Sequence, residues 1–487
     1  MNRPIRRVGL AVTVLILLLV AQLTYLQVVD ANNLANDKRN VRTALRDFNR
    51  ERGEIVTGDG QIVAQSLPTT GDFKYLRVYP QGDLFAHTVG YQSFVDLVGS
   101  TGVEATYNKV LTGQDTRLQL DDVGNVLSGK SQTNNVILSM TQAAQTTARD
   151  ALRGQRGSVV ALDVQTGGIM AMYSNPTFDP NALAVHDTQS VQNTFNAINS
   201  DAFAKPALQR AYRDRYSPGS TFKVVTSKSA MEAGLATPTD PVFPTSNGFE
   251  IPGTNTLLRN FGNDTCGGDL TESLVHSCNA TFARLGYELN DTFPPAMQQC
   301  GIDSAPPIDI APSAVDSVGP QVGSDRARFA LAGIGQGDVF TSPLQMALIA
   351  EGIANGGVIK EPHVVKEIQN VDGETKRTIG PDDWTTCMSP TTAAALAGMM
   401  VQVVQRGSGT AAQIDGVTVA GKTGTAQTTE GENPHAWFIA FAPAEAPRYA
   451  IAVIVEHGGN FGSEATGGEV AAPIAKQVLQ TLLATNS

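Results

Sequence analysis

A chain of 487 residues, 41% hydrophobic and 17% charged, has the composition of a globular protein long enough for two or more domains. Its formal net charge of -11 argues against nucleic acid and anionic lipid headgroups as bulk partners, because both need basic surfaces. Four cysteines, Cys266, Cys278, Cys300 and Cys387, show no C-x-x-C spacing and no accompanying histidine pattern, so neither a metal nor a cofactor is expected.

Arg3, Arg6 and Arg7 precede an uncharged, apolar run over residues 8–29. As a helix this run extends roughly 33 Å at 1.5 Å per residue, enough to cross a bilayer core. A cleaved signal peptide has a shorter apolar stretch and an A-x-A-like site, so an uncleaved anchor is expected, with residues 1–7 cytoplasmic and the rest outside. Lys38, Arg39, Arg42 and Arg46 lie on the far side and oppose that orientation, but farther from the membrane edge. Residues 31–51 read as a polar juxtamembrane helix or linker.

Residues 52–64 alternate apolar and polar about Asp59-Gly60, a hairpin signature. Together with 73–80 and the stretch around Gly102, Glu104, Tyr107, Leu111 and Gly113, they predict a small α+β module within residues 30–139, a spacer without chemistry. A larger domain over 140–487 opens with a helix at 141–152 and paired strands at 158–163 and 169–174. Ser217 as N-cap and Pro218 as first helical residue predict a helix ending near Gly234, and a second helical segment carries Ser277-Cys278-Asn279. Ser342-Pro343-Leu344-Gln345 is a capping box opening a helix that stops at Asn355-Gly356-Gly357, and Ser389-Pro390 opens another that stops near Gly407. Strands follow at 417–420, 436–442 and 449–456, then an amphipathic helix over 470–483. Strands at both ends of the domain with helices between them imply one antiparallel sheet flanked by helices.

Ser220 and Lys223 fall on one face at the start of the first of these helices, where the helix dipole favours anions and an amine of lowered pKa can take the hydroxyl proton. Alone, S-x-x-K also fits a capped core helix. Residues 416–423 match the phosphate-loop pattern G-x-x-x-x-G-K-[ST], but 417–420 is strand-like and no helix follows, so the context that phosphate binding requires is missing. Gly333-Ile334-Gly335-Gln336-Gly337 likewise reads as a packing turn. His276 and His435 read as structural, since a lysine base makes a histidine base unnecessary.

Taken together, Ser220 to Lys223, Ser277 to Asn279 and Lys422-Thr423-Gly424 reproduce S-x-x-K, S-x-N and K-T-G in order, and the chain resembles the class B penicillin-binding proteins. Cys278 departs from the S-D-N form at a position that varies in the wider family. The resemblance extends from residue 52 to the C-terminus and includes Gly335-Gln336-Gly337 and Ser342-Pro343; no stretch is left for the glycosyltransferase domain of class A members. It implies an α+β fold with a membrane anchor, a dimerisation-like module and a transpeptidase domain. The implied reaction is the cross-linking of peptidoglycan stem peptides ending in D-Ala-D-Ala, inhibited by β-lactams, in wall synthesis, division and cell shape.

The same resemblance implies Ser220 as nucleophile, Lys223 as its base and Ser277 as proton relay to the leaving amine. Asn279 would bind the substrate amide, and Lys422, Thr423, Gly424 and Thr425 its carboxylate side, with the backbone N–H groups of Ser220 and Thr425 as oxyanion hole. A membrane glycan polymerase and division or elongation proteins are the implied partners. Outside the cytoplasm Cys266 and Cys278 could form a disulfide or remain free thiols. A membrane-anchored β-lactamase and a non-enzymatic penicillin sensor share the motifs; the extended N-terminal region speaks against the first, and the short segment before the anchor against the second.

Overall fold

The computed structural model describes residues 2–30, 48–70, 73–95, 98–120, 133–428 and 431–485. The helix Asn2–Thr24 continues as a π turn, Tyr25–Val29, and 3–28 is the one helix among the described residues long and apolar enough to cross a membrane. Most of the expected juxtamembrane segment, residues 31–47 with Lys38, Arg39, Arg42 and Arg46, lies outside the described residues.

The hairpin about Asp59-Gly60 forms between the strands Ile55–Val56 and Ile62–Pro68, with Gly60 at φ +83° supplying the left-handed turn residue. These strands belong to a six-stranded sheet with Tyr75–Val78 at one edge. Asn134–Leu138 pairs parallel to Ile55–Val56, and a hairpin from the larger domain, Val365–Asn370 and Thr375–Thr378, completes the sheet on that side. Under the sheet Glu104, fully buried, accepts from Arg52 Nε at 2.7 Å and from Arg77 Nε at 2.6 Å. Burial alone would raise the Glu104 carboxyl, but the two guanidinium groups outweigh it and hold it below the usual range. Asp59 then reaches beyond its own turn, accepting from the N–H groups of Gln142 and Ala143 at the head of the next helix.

The larger domain is built on a five-stranded antiparallel sheet in the order Ala420–Ala426, His435–Ala442, Tyr449–Val455, Gly157–Asp163, Ile169–Asn175. All seven residues of the central strand Tyr449–Val455 are buried, which an antiparallel strand shows only when both sheet faces are covered. Pro343–Ala354 packs on three of the strands, while Gln142–Leu152 and Ala472–Thr485 pack on each other and on the same sheet. Pro343–Ala354 is buried over residues 343–353, the polar Gln345 and Glu351 included.

Three expectations are corrected. The edge strand runs Ala420–Ala426, not 417–420: full pairing with His435–Ala442 carries it through Gly421 and Gly424, against weak local strand propensity. The capping box is half formed, because Ser342 caps Gln345 N–H but the Gln345 side chain turns to the Cys300 carbonyl, 2.8 Å away. The closing α-helix, Ala472–Thr485, begins after a π turn, Gly467–Ala471, that Thr466 caps.

Candidate active site

Ser220 sits in a 3-10 turn, Gly219–Phe222, that leads into the helix Lys223–Glu232. The predicted N-cap does not form. Ser217 instead offers its carbonyl to Trp437 Nε1 at 3.1 Å, and Gly219 N–H donates to Gly335 O at 2.9 Å, so tertiary contacts delay the helix by several residues. Gly219 has φ +54°, and a Cβ there would stand 2.8 Å from Thr425 O. Gly424 is as restricted: a Cβ would meet Pro218 O at 2.9 Å. The glycine of K-T-G thus lets the edge strand lie directly against the serine turn.

Ser277 and Cys278 lie between two helices, Leu270–Val275 and Asn279–Leu289, and not within one. Ser277 adopts φ +57°, a strained value for a residue other than glycine, and this turn aims its hydroxyl at both lysines. Two disulfides use all four cysteines. Cys266–Cys278 ties this turn to the strand Cys266–Gly268, and Cys300–Cys387 lies deeper. Asn260, buried, accepts from Ala280 N–H and donates to the carbonyls of Ser246 and Asp264, which fixes the start of the second helix.

Lys223 Nζ is fully buried and donates to Ser277 O at 2.6 Å, Asn279 Oδ1 at 2.7 Å and Ser277 Oγ at 3.2 Å; among the described residues no hydrogen bond joins it to Ser220 Oγ. Lys422 Nζ, buried inside the edge strand, donates to Ser277 Oγ and Thr423 O, both at 2.9 Å. Burial, and next the Lys422 charge, push Lys223 well below the ordinary lysine value. Burial pushes Lys422 down to about 7. One hydroxyl therefore links an amine held neutral to one that is part charged near neutrality, an arrangement suited to moving a proton. Lys422 heads no helix, so the phosphate-loop geometry is not built.

These groups open on a groove of about 1350 Å³, with Ser220, half-buried, in its wall beside Ser277, Asn279, Thr423 and Thr425. Ser408, in a glycine-flanked turn, lies 2.6 Å from Thr423 Oγ1 and orients that hydroxyl. Neither Ser408 nor Asn260 belongs to a motif; the Gly407-Ser408-Gly409 turn was the one visible sign. His435 is pushed down to about 4 by burial, with its ring 5.4 Å from that of Tyr216 and its Nδ1 accepting from His457 N–H. Tyr216 donates to Glu456, which also binds Arg210, so the serine turn is anchored from behind. His276 is exposed at the groove, 3.6 Å from Glu272. No group of three or more metal-ligating side chains occurs among the described residues.

Residues 157–480 match the penicillin binding protein transpeptidase domain, and residues 52–137 match the penicillin binding protein A dimerisation domain. The chain belongs to the penicillin-binding protein transpeptidase family. It is 39% identical over 504 aligned residues to the peptidoglycan D,D-transpeptidase PbpA of Mycolicibacterium smegmatis, covering 100% of both chains. It is 36% identical to PbpA of Mycobacterium tuberculosis, covering 99% of each. Penicillin-binding protein A from M. tuberculosis, as its ceftriaxone acyl-enzyme complex, superposes with a TM-score of 0.83 at 35% identity, over 90% of this chain and 100% of that one.

Proposed function

We propose that this chain is a membrane-anchored peptidoglycan D,D-transpeptidase that works through an acyl-enzyme on Ser220. The observation that carries the reading is the meeting of Lys223 and Lys422 on one Ser277 hydroxyl, in the wall of the groove that holds Ser220. Ser220 Oγ attacks the carbonyl carbon of the penultimate D-Ala, and its proton passes to neutral Lys223. Lys223 rests on Ser277 and Asn279 in the free protein and turns to Ser220 as substrate fills the groove, since catalytic hydrogen bonds often tighten only in the complex. The backbone N–H groups of Ser220 and Thr425 receive the oxyanion, each worth roughly 3 to 4 kcal/mol. As the C–N bond breaks, Ser277 relays the proton to the departing D-Ala amine. An acceptor amine then attacks the acyl-enzyme and returns Ser220 to its hydroxyl form.

Asn279 binds the amide preceding the acylated residue, Lys422 with the hydroxyls of Thr423 and Thr425 holds the terminal carboxylate, and Gly424 keeps the strand close. A β-lactam enters the same first step and acylates Ser220.

We assign residues 8–29 to the anchor, 30–139 to a non-catalytic dimerisation-like module and 140–487 to the transpeptidase domain, which faces outward. Because the reaction consumes nascent glycan strands, a membrane glycan polymerase of the division or elongation machinery is the partner assigned. Full-length protein in detergent should release D-Ala from a peptide ending in D-Ala-D-Ala, and Ser220→Ala should stop it; continued release would refute the nucleophile. Protease added to intact spheroplasts should digest the chain beyond residue 29, and protection would reverse the topology.

A further inference from the structure

The groove walls hold few charged side chains, and most of these are engaged. Glu432 lies 3.7 Å from His457 Nδ1, Glu469 Oε2 accepts from Thr466 Oγ1 at 2.9 Å, and His276 faces Glu272. Arg259 is different. It lines the groove, is exposed, and its guanidinium has no ion-pair or hydrogen-bond partner among the described residues.

Its backbone, by contrast, is fixed. Arg259 ends the short strand Leu257–Arg259, and its carbonyl accepts from Asn279 Nδ2 at 2.8 Å. The next residue is the buried Asn260 that holds the start of the Asn279–Leu289 helix. A guanidinium without a partner among the described residues is therefore carried on a rigid mount one hydrogen bond from Asn279. Leu257, Leu258 and Phe261 line the same groove around it, Leu257 being 39% and Phe261 65% exposed. An apolar patch ended by a cation fits a ligand group with methylenes near the backbone and an anion at the tip. In a protein of net charge -11 such a cation in a cleft gives a local positive field.

On the transpeptidase reading, Asn279 binds the amide that precedes the acylated D-Ala. The carbonyl of that amide belongs to the third residue from the peptide's C-terminus, so the side chain of that residue leaves the backbone beside Asn279, whose Nδ2 is bonded to the Arg259 carbonyl. We infer that Arg259 reads a carboxylate on the side chain of the residue preceding D-Ala-D-Ala, while Leu257, Leu258 and Phe261 cover that side chain's methylenes. The protein thereby distinguishes an acidic stem peptide from its amidated form at a point remote from the bond that breaks.

The test uses two synthetic peptides ending in D-Ala-D-Ala, identical except that the third residue from the end carries a side-chain carboxylate or its carboxamide. Their Kd values are measured on full-length protein carrying Ser220→Ala, so that neither peptide is consumed. The acid should bind about 5-fold more tightly than the amide, a modest factor because the pair is solvent-accessible. Adding Arg259→Gln should bring the ratio near one, and Arg259→Glu should invert it. Comparing the two peptides on each variant removes any general effect of the substitution on the groove. Equal affinities without Arg259→Gln, or a preference that survives it, would overturn the assignment. D-Ala release by the unsubstituted protein is scored separately and bears on the reaction, not on Arg259.

Discussion

Lys422 Nζ lies 2.9 Å from Ser277 Oγ, and Lys223 Nζ lies 3.2 Å from the same oxygen. Two buried amines so close cannot both be protonated cheaply, so burial, and next the charge of the amine on the edge strand, hold the one on the helix neutral. Lys422→Ala removes that influence and the charge that, on the proposed mechanism, attracts the substrate carboxylate. Losing about 2 to 4 kcal/mol of transition-state stabilisation slows acylation by roughly 30- to 1000-fold. Stopped-flow acylation by penicillin measures it, and an unchanged rate in a folded Lys422→Ala protein would mean that K-T-G is misassigned.

The same pair sets the pH profile. On the proposed mechanism Lys223 must be neutral to take a proton, and Lys422 protonated to draw in a carboxylate, so the second-order acylation rate should be bell-shaped. Lys223, well below the ordinary lysine value, sets the acid limb, and Lys422, near about 7, sets the alkaline limb of the free enzyme. In Lys422→Gln the positive neighbour is gone, the Lys223 value rises, and the acid limb moves to higher pH. A limb that stays in place or moves to lower pH contradicts the coupling.

Glu104→Ala leaves Arg52 and Arg77 buried and unpaired beneath the six-stranded sheet. Breaking a buried ion pair from one side costs about 3 to 5 kcal/mol, so the unfolding transition of the N-terminal module should fall markedly. A loss below about 1 kcal/mol would show that the arginines find other partners.

Glu351 lies in the buried helix Pro343–Ala354; burial raises its carboxyl to about 9, and its Oε1 has no hydrogen-bond partner among the described residues. The folded protein keeps a proton that the unfolded chain releases above about 4.5, so stability falls as pH rises from there toward 9. Glu351→Gln does not titrate and should be the more stable form at pH 7, by up to about 3 kcal/mol, with a smaller gap at pH 5.5. Urea denaturation at the two values checks this, and a gap that narrows with rising pH would contradict it.

Long periodic segments and strong caps were legible in the sequence: the helix at 142–152, the hairpin at 157–175 and the helix Pro390–Arg406 lie within a residue or two of expectation. What was not legible depends on contacts distant in sequence. The Ser217 cap failed because Trp437, 220 residues away, takes its carbonyl. The strand that carries Lys422 is specified by its partner His435–Ala442 more than by its own glycine- and threonine-rich residues. The three motifs meet at one groove, but their spacing could not show that Lys223 rests on Ser277 and not on Ser220, nor that Ser408 and Arg259 stand beside them.

The central claim is that Ser220 is the acylated residue. Full-length protein is labelled with penicillin and digested with trypsin, and the adduct is located by fragmentation within the peptide spanning residues 216–223, where Ser217 and Ser220 are resolved from each other. A single adduct on Ser220, lost in Ser220→Ala, is the predicted result. An adduct on Ser217, Ser277 or any other serine, or labelling that persists in Ser220→Ala, would contradict it.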